Sequence, residues 1–210
     1  MNAKEFEPAI RCLREPIPEI FAAAAILEAA ADSHLAKRWD VANALFAAAD
    51  LPQVAEWTDS VWGKANPGKA RFRSLANQPV KSSIKAEQTI PTLIKWAVIN
   101  RDGFNCRLCG IPVIRKEIRN FLKKLYPSIR WGKPNSTQHS AFQCMWLQYD
   151  HVIPQSRGRA NSEDNLIITC APCNNGRGNW TFEEINIIDP RTIDVTVSDW
   201  DGLERVMKKH

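Results

Sequence analysis

The chain has 210 residues, 44% of them hydrophobic and eight of them tryptophan, which supplies a sizeable core and excludes a disordered polyampholyte. Its longest plainly apolar run, residues 20–27, ends at Glu28 and is far too short for a bilayer; residues 1–8 carry Lys4, Glu5 and Glu7 in place of an apolar signal core, so the reading is a soluble, cytoplasmic protein with no membrane partner. The formal net charge of +5 is uneven: residues 1–62 carry five basic and ten acidic groups, residues 63–90 six against one, and residues 91–135 ten against only Asp102 and Glu117. Such a field attracts polyanions, although a solvated basic face gives the same counts.

Residues 1–62 read as an alanine-rich helical region. One helix is predicted over residues 18–31. Asp32 or Ser33 would cap a second, with Leu35, Trp39, Ala42, Phe46 and Ala49 on one face. A third lies between Pro52 and Gly63, with Val54, Trp57 and Val61 inward. These stripes are packing surfaces and carry no chemistry, although they offer a face for a homodimer. Residues 63–90 are rich in Gly, Pro, Asn, Ser and Lys/Arg and read as a basic linker. Order resumes with a helix over residues 91–101, with Leu93, Ile94, Ala97 and Val98 inward. Residues 115–129 form a basic amphipathic helix in which Ile118, Phe121, Leu122 and Leu125 face the core. Arg115, Lys116, Arg119, Lys123 and Lys124 stay wet on its other face, where they are candidates for contact with a nucleic-acid backbone.

Two Cys-x-x-Cys pairs stand out, Cys106/Cys109 and Cys170/Cys173; in a chain without a secretory signal they read as a structural Zn²⁺ site before they read as disulfides. Their separation exceeds that of a simple zinc ribbon, so something is folded between them. Around Tyr149, Val152 and Ile153 a strand is predicted, ended by Pro154. A polar loop covers residues 156–164, a second strand covers residues 166–169, and a helix bearing Asn174 runs from Cys170 to Gly176 or Gly178.

This stretch resembles the HNH endonuclease family, whose site is a ββα-metal finger. The resemblance rests on Asp150-His151-Val152-Ile153-Pro154, Gly158, Asn165-Leu166, Cys170-Ala171-Pro172-Cys173-Asn174 and Arg177-Gly178, at the family's intervals. It implies that His151 is the general base, that Asp150 and Asn174 bind a catalytic Mg²⁺ or Mn²⁺, and that Asn165 ties the loop so that His151 is aimed. It implies too that Cys106, Cys109, Cys170 and Cys173 hold zinc. The chain departs from the pattern in having Asn174 where histidine is common, Gly158-Arg159 where two glycines are common, and a long segment over residues 110–148. Arg159 and Arg177 are further candidates for phosphate contact.

The expected fold is α+β: the helical region 1–62, the linker 63–90, and an HNH nuclease domain with a C-terminal extension over residues 91–210. Trp180, Phe182 and Trp200 would pack the tail back onto that domain. The expected function is hydrolysis of phosphodiester bonds, in double-stranded DNA ahead of RNA. The alternative is a zinc-stabilised nucleic-acid-binding module without cleavage activity. A thioredoxin-like redox role lacks its βαβ context, and a zinc deaminase lacks its His-x-Glu.

Overall fold

The structure is a computed structural model and describes residues 9–62, 89–157 and 160–207. Residues 63–88 of the basic linker, together with Gly158 and Arg159, lie outside the described residues.

Three helices come first: α1 (Pro18–Leu35), α2 (Trp39–Ala48) and α3 (Pro52–Trp62). Helix α1 begins on Pro18, whose fixed φ and missing N–H suit a first turn. It continues through Asp32 and Ser33, so neither residue caps α2. It closes instead at Lys37, which adopts a left-handed φ of 59°. The Lys37 N–H donates to the His34 carbonyl at 3.0 Å and the Arg38 N–H to the Ser33 carbonyl at 2.9 Å, the paired bonds of a Schellman stop. Glycine usually marks this position, and a lysine there leaves no signal in the sequence. The break also resets the helical phase. Ala42, Phe46 and Ala49 are buried as predicted, but Trp39 is 52% exposed and stands edge-on to the His34 ring. Helix α3 buries Val54, Trp57 and Val61, and the Trp57 indole donates to the Glu15 carbonyl at 2.8 Å.

Helix α4 (Thr92–Asp102) follows the linker. Its inward stripe runs Ile94, Val98, Asp102, and Leu93, predicted inward, is 83% exposed. The phase is misread from sequence because the last member of the stripe is a carboxylate. Helix α5 (Lys116–Leu125) is shorter than predicted because Tyr126, preceding Pro127, is extended; Leu125 is left exposed. A one-turn helix, α6 (Ser140–Cys144), leads into the first strand.

Strands β1 (Leu147–His151) and β2 (Leu166–Cys170) pair antiparallel, from Leu147 opposite Cys170 to His151 opposite Leu166. Val152 and Ile153 leave the predicted strand, although the Val152 N–H still donates to the Asn165 carbonyl at 2.8 Å. β2 is buried along its whole length, hence its continuous apolar run. It leads directly into helix α7 (Ala171–Arg177), which has Pro172 in its first turn and stops at Gly178, φ 61°.

Helix α3 lies across α6 and α7, and the contact with α7 is close enough to demand a glycine. A Cβ on Gly176 would sit 2.8 Å from the Val61 carbonyl oxygen and 2.8 Å from Leu13 Cδ1. One hydrophobic core therefore draws on the N-terminal helices and on the ββα unit together. The tail returns to it through buried Phe182 and Trp200, whose indole donates to the Val113 carbonyl at 2.9 Å. The architecture is α+β. Among the described residues no helix is long and apolar enough to cross a membrane.

Candidate active site and metal centre

The two cysteine knuckles meet at the base of the ββα unit. Cys106 and Cys109 lie in a turn completed by Gly110, whose φ of 78° lets its N–H return to the Cys106 carbonyl at 2.8 Å. Cys170 ends β2 and Cys173 lies in the first turn of α7. The Arg107 N–H donates to the Ile168 carbonyl at 2.8 Å and so docks the first knuckle against β2. All four sulfurs lie within 4.8 Å of one another, and Cys109 and Cys170 are 3.7 Å apart. A tetrahedron of Zn–S bonds near 2.3 Å has edges of about 3.8 Å, so the donor set fits zinc in number, chemistry and size. Burial opposes a charge on each sulfur, yet hydrogen bonds from Cys109, Cys170 and Cys173 hold the Cys106 thiol well below its usual range. Burial and the charge on Cys106 push Cys170 up to about 12. A divalent cation would relieve this conflict by stabilising all four thiolates at once.

Asp150 and His151 end β1. The Asp150 carboxylate is 3% exposed and takes Nε and Nη2 of Arg177, the last residue of α7. Arg177 also donates to the carbonyls of His151, at 2.6 Å, and Trp180, at 2.7 Å, and lies over the Phe182 ring. It is 1% exposed. The predicted phosphate contact is therefore corrected: its guanidinium is committed to the strand–helix junction. Burial raises the Asp150 carboxyl above the ordinary range, against the pull of Arg177.

The His151 ring is half-buried, with Nε2 2.8 Å from Asn161 Oδ1. The Asn161 amide is oriented by its own donation to the Thr89 carbonyl at 3.2 Å, which turns its oxygen toward the imidazole. An amide oxygen only accepts, so the proton of the neutral ring sits on Nε2 and the lone pair on Nδ1. Sequence reasoning missed Asn161. It lies in an irregular loop with nothing in its spacing to mark it.

Asn165 is buried and ties that loop. Its Oδ1 accepts the Ile153 N–H at 2.9 Å, and its Nδ2 donates to the carbonyls of Ile153 and Ala160 at 3.2 and 3.3 Å. Asn174 is half-buried in α7. A second unpredicted support is Asp102. This buried carboxylate pairs with Arg101 through two bonds of 2.8 Å and accepts the Ile168 N–H at 2.9 Å. Arg101 continues to the carbonyls of Glu163 and Leu166, so α4 grips the start of β2.

The basic residues of the inserted segment divide. Lys116 and Lys124 are exposed and Lys123 is half-buried over Trp131. Arg115 is held by both oxygens of Glu204, at 2.5 and 2.6 Å, and lies over Trp96. Arg119, predicted to stay wet, is 2% exposed and sandwiched between Trp131 and Trp146; burial lowers its pKa, while the two indole faces favour its charge. It cannot meet a phosphate from there.

An antiparallel pair leading into a helix, with four sulfurs at its base and a carboxylate–imidazole pair at the end of its first strand, defines a ββα finger. Residues 135–179 match the family model described as HNH endonuclease, and the chain carries an HNH endonuclease domain over that stretch. The match includes Asp150, His151, Asn165, Cys170, Cys173 and Asn174, while Cys106 and Cys109 lie outside it. No curated protein and no solved structure matches the chain. The domain carries with it a nuclease-type function on nucleic acid.

Proposed function

We propose that the protein is a metal-dependent endonuclease that hydrolyses phosphodiester bonds in DNA, with His151 as general base. The observation that supports this most is the His151 ring in an HNH domain, engaged at Nε2 by Asn161 and left with Nδ1 to take a proton. A water attacking phosphorus would give one proton to Nδ1 as the P–O3′ bond breaks, and the departing O3′ would take a proton from solvent water, leaving a 5′-phosphate and a 3′-hydroxyl. Asn161 fixes the tautomer, and Asn165 fixes the loop that carries Asn161.

Asp150 and Asn174 offer oxygen donors that suit a hard divalent ion such as Mg²⁺ or Mn²⁺. Arg177 occupies part of the Asp150 carboxylate, which retains further lone pairs. Both side chains present oxygen donors of the kind such an ion takes, and with one carboxylate between them they would hold it loosely. When bound, it supplies charge stabilisation at the phosphate and the departing oxygen. The four cysteines hold Zn²⁺ as a structural ion, separate from the hydrolytic site.

The test is cleavage of supercoiled plasmid by the purified chain in Mg²⁺, Mn²⁺ or EDTA, beside His151→Ala. Metal-dependent nicking that disappears in the variant, at unchanged zinc content, supports the reading. The pairing of Asp150 with Arg177 favours one alternative, a zinc-stabilised binding module without cleavage. DNA and RNA that both survive every ion, while still binding to wild type and His151→Ala alike, would select it.

A further inference from the structure

Beside β1, between α4 and the start of α5, lies an open cleft of about 170 Å³ lined by Lys95, Arg115, Lys116, Trp146, Gln148 and Tyr149, among others. Of its lining residues only Arg115 and Lys116 were expected from the sequence to contact nucleic acid, and the HNH resemblance rests on none of them. It combines cations with aromatic faces. Lys95 Nζ sits 5.8 Å from the Tyr149 ring centroid, and Trp146 is the second ring of the lining. Arg115 is neutralised by Glu204 and lies 3.5 Å from exposed Glu117, the one carboxylate of the lining; half-buried Lys95 and exposed Lys116 are the cations left to meet an anion. Basic grooves interleaved with aromatic rings are the physical pattern of single-strand recognition, because each base presents a π-face and each phosphate a charge.

Position strengthens the case. Tyr149 and His151 stand two apart on β1, so their side chains share a face and their Cα atoms are about 7 Å apart. A strand whose phosphate meets His151 therefore brings a neighbouring nucleotide to Tyr149. The cleft is smaller than the ~300–1,000 Å³ typical of sites for drug-sized ligands, which limits it to one base. A base already paired and stacked in a duplex cannot enter it.

We infer that this cleft binds one unpaired nucleobase of the strand being cut, stacked on Tyr149, with Lys95 and Lys116 on its phosphate. The preferred substrate is then DNA with a single-stranded or extruded nucleotide next to the scissile bond. This rests on the nuclease reading but fails separately from it.

The probe is a single-stranded DNA 12-mer carrying one 2-aminopurine, titrated with the zinc-loaded full chain without added Mg²⁺ or Mn²⁺ and with no chelator, so that cleavage is withheld while the structural zinc is kept. Stacking quenches the probe, and the Lys95→Ala/Lys116→Ala variant, altered only at solvent-accessible side chains, binds more weakly with a shallower salt dependence. Tyr149→Leu weakens binding roughly 5- to 150-fold, the weight of one stacked base, and removes the quenching. Absence of quenching with wild type overturns the inference. So does unchanged affinity in the double-lysine variant, which stays informative if Tyr149→Leu fails to fold. Equal competition by a poly-glutamate peptide reduces the cleft to an unspecific anion groove and overturns it too. Plasmid cleavage by wild type against His151→Ala judges the nuclease reading independently of all these outcomes.

Discussion

Arg177 divides the two ways of reading this chain. Its place after the second knuckle suggests a phosphate contact. In the structure it is 1% exposed and bonds Asp150 together with the carbonyls of His151 and Trp180. Arg177→Met keeps much of the side-chain volume against Phe182 and removes every one of these bonds. It leaves a carboxylate 3% exposed without its counter-charge, a change that costs about 3–5 kcal/mol when one partner of a buried pair is deleted. Two carbonyls also lose a donor, at about 1 kcal/mol each, offset in part by the apolar methionine. The net loss of about 3–5 kcal/mol is a large fraction of the ~5–15 kcal/mol that holds a typical domain, and it lowers Tm by on the order of 10 °C. Urea denaturation of wild type, Arg177→Met, Asp150→Asn and the double variant measures this, with an expected coupling of about 1–3 kcal/mol between the two sites. A variant that unfolds like wild type but binds DNA more weakly, with a reduced salt slope, would refute the buried-pair argument and restore Arg177 as a phosphate contact.

Asn161→Ala frees His151 Nε2 and lowers kcat about 10- to 100-fold with KM little changed, while Asn161→Asp, which keeps an acceptor there, recovers activity; equal losses in both would remove the tautomer argument. Elemental analysis should find one zinc per chain, lost in Cys170→Ser along with cooperative unfolding, since structural zinc contributes on the order of 10 kcal/mol in small modules. Burial pushes the Asp50 carboxyl up, but the Arg130 guanidinium and the Ser140 N–H together pull it down to about 2. A depressed carboxyl stabilises the fold above its unfolded pKa and loses that contribution as pH falls through the folded one. With half-exposed Arg130 partly screened by solvent, about 1–2 kcal/mol disappears between roughly pH 4 and pH 2; a pH series of denaturation midpoints in Asp50→Asn should lack this component. Gly176→Ala gains helix propensity but drives a Cβ onto the Val61 carbonyl, and denaturation should show a net loss of about 1–3 kcal/mol.

The ββα unit was legible in the amino-acid sequence because its parts are local. β2 is a short apolar run, Pro172 and Gly178 bracket α7, and the Cys-x-x-Cys spacing places each pair of sulfurs within one turn. The α+β class and the pairing of knuckles as one four-sulfur cluster followed from the same local chemistry. Helix phases failed where the cue was missing: Lys37 turns the chain without a glycine, and Asp102 completes an inward stripe that hydropathy alone does not see.

What only the tertiary structure decided is where each polar side chain spends its hydrogen bonds. Sequence gives Arg119 and Arg177 the same charge as Lys116 and Lys124, yet two are interior and two face water. The difference comes from partners distant in the chain: Trp131 and Trp146 for Arg119, and Asp150 for Arg177. Asn161 next to His151, Arg101 on the carbonyl of Leu166, and α3 against Gly176 are contacts of the same kind. Periodicity and spacing report on neighbours along the chain, so they determined the elements and the motif. Burial of a charge depends on the whole set of surfaces that close over it, and only the packed fold contains that information.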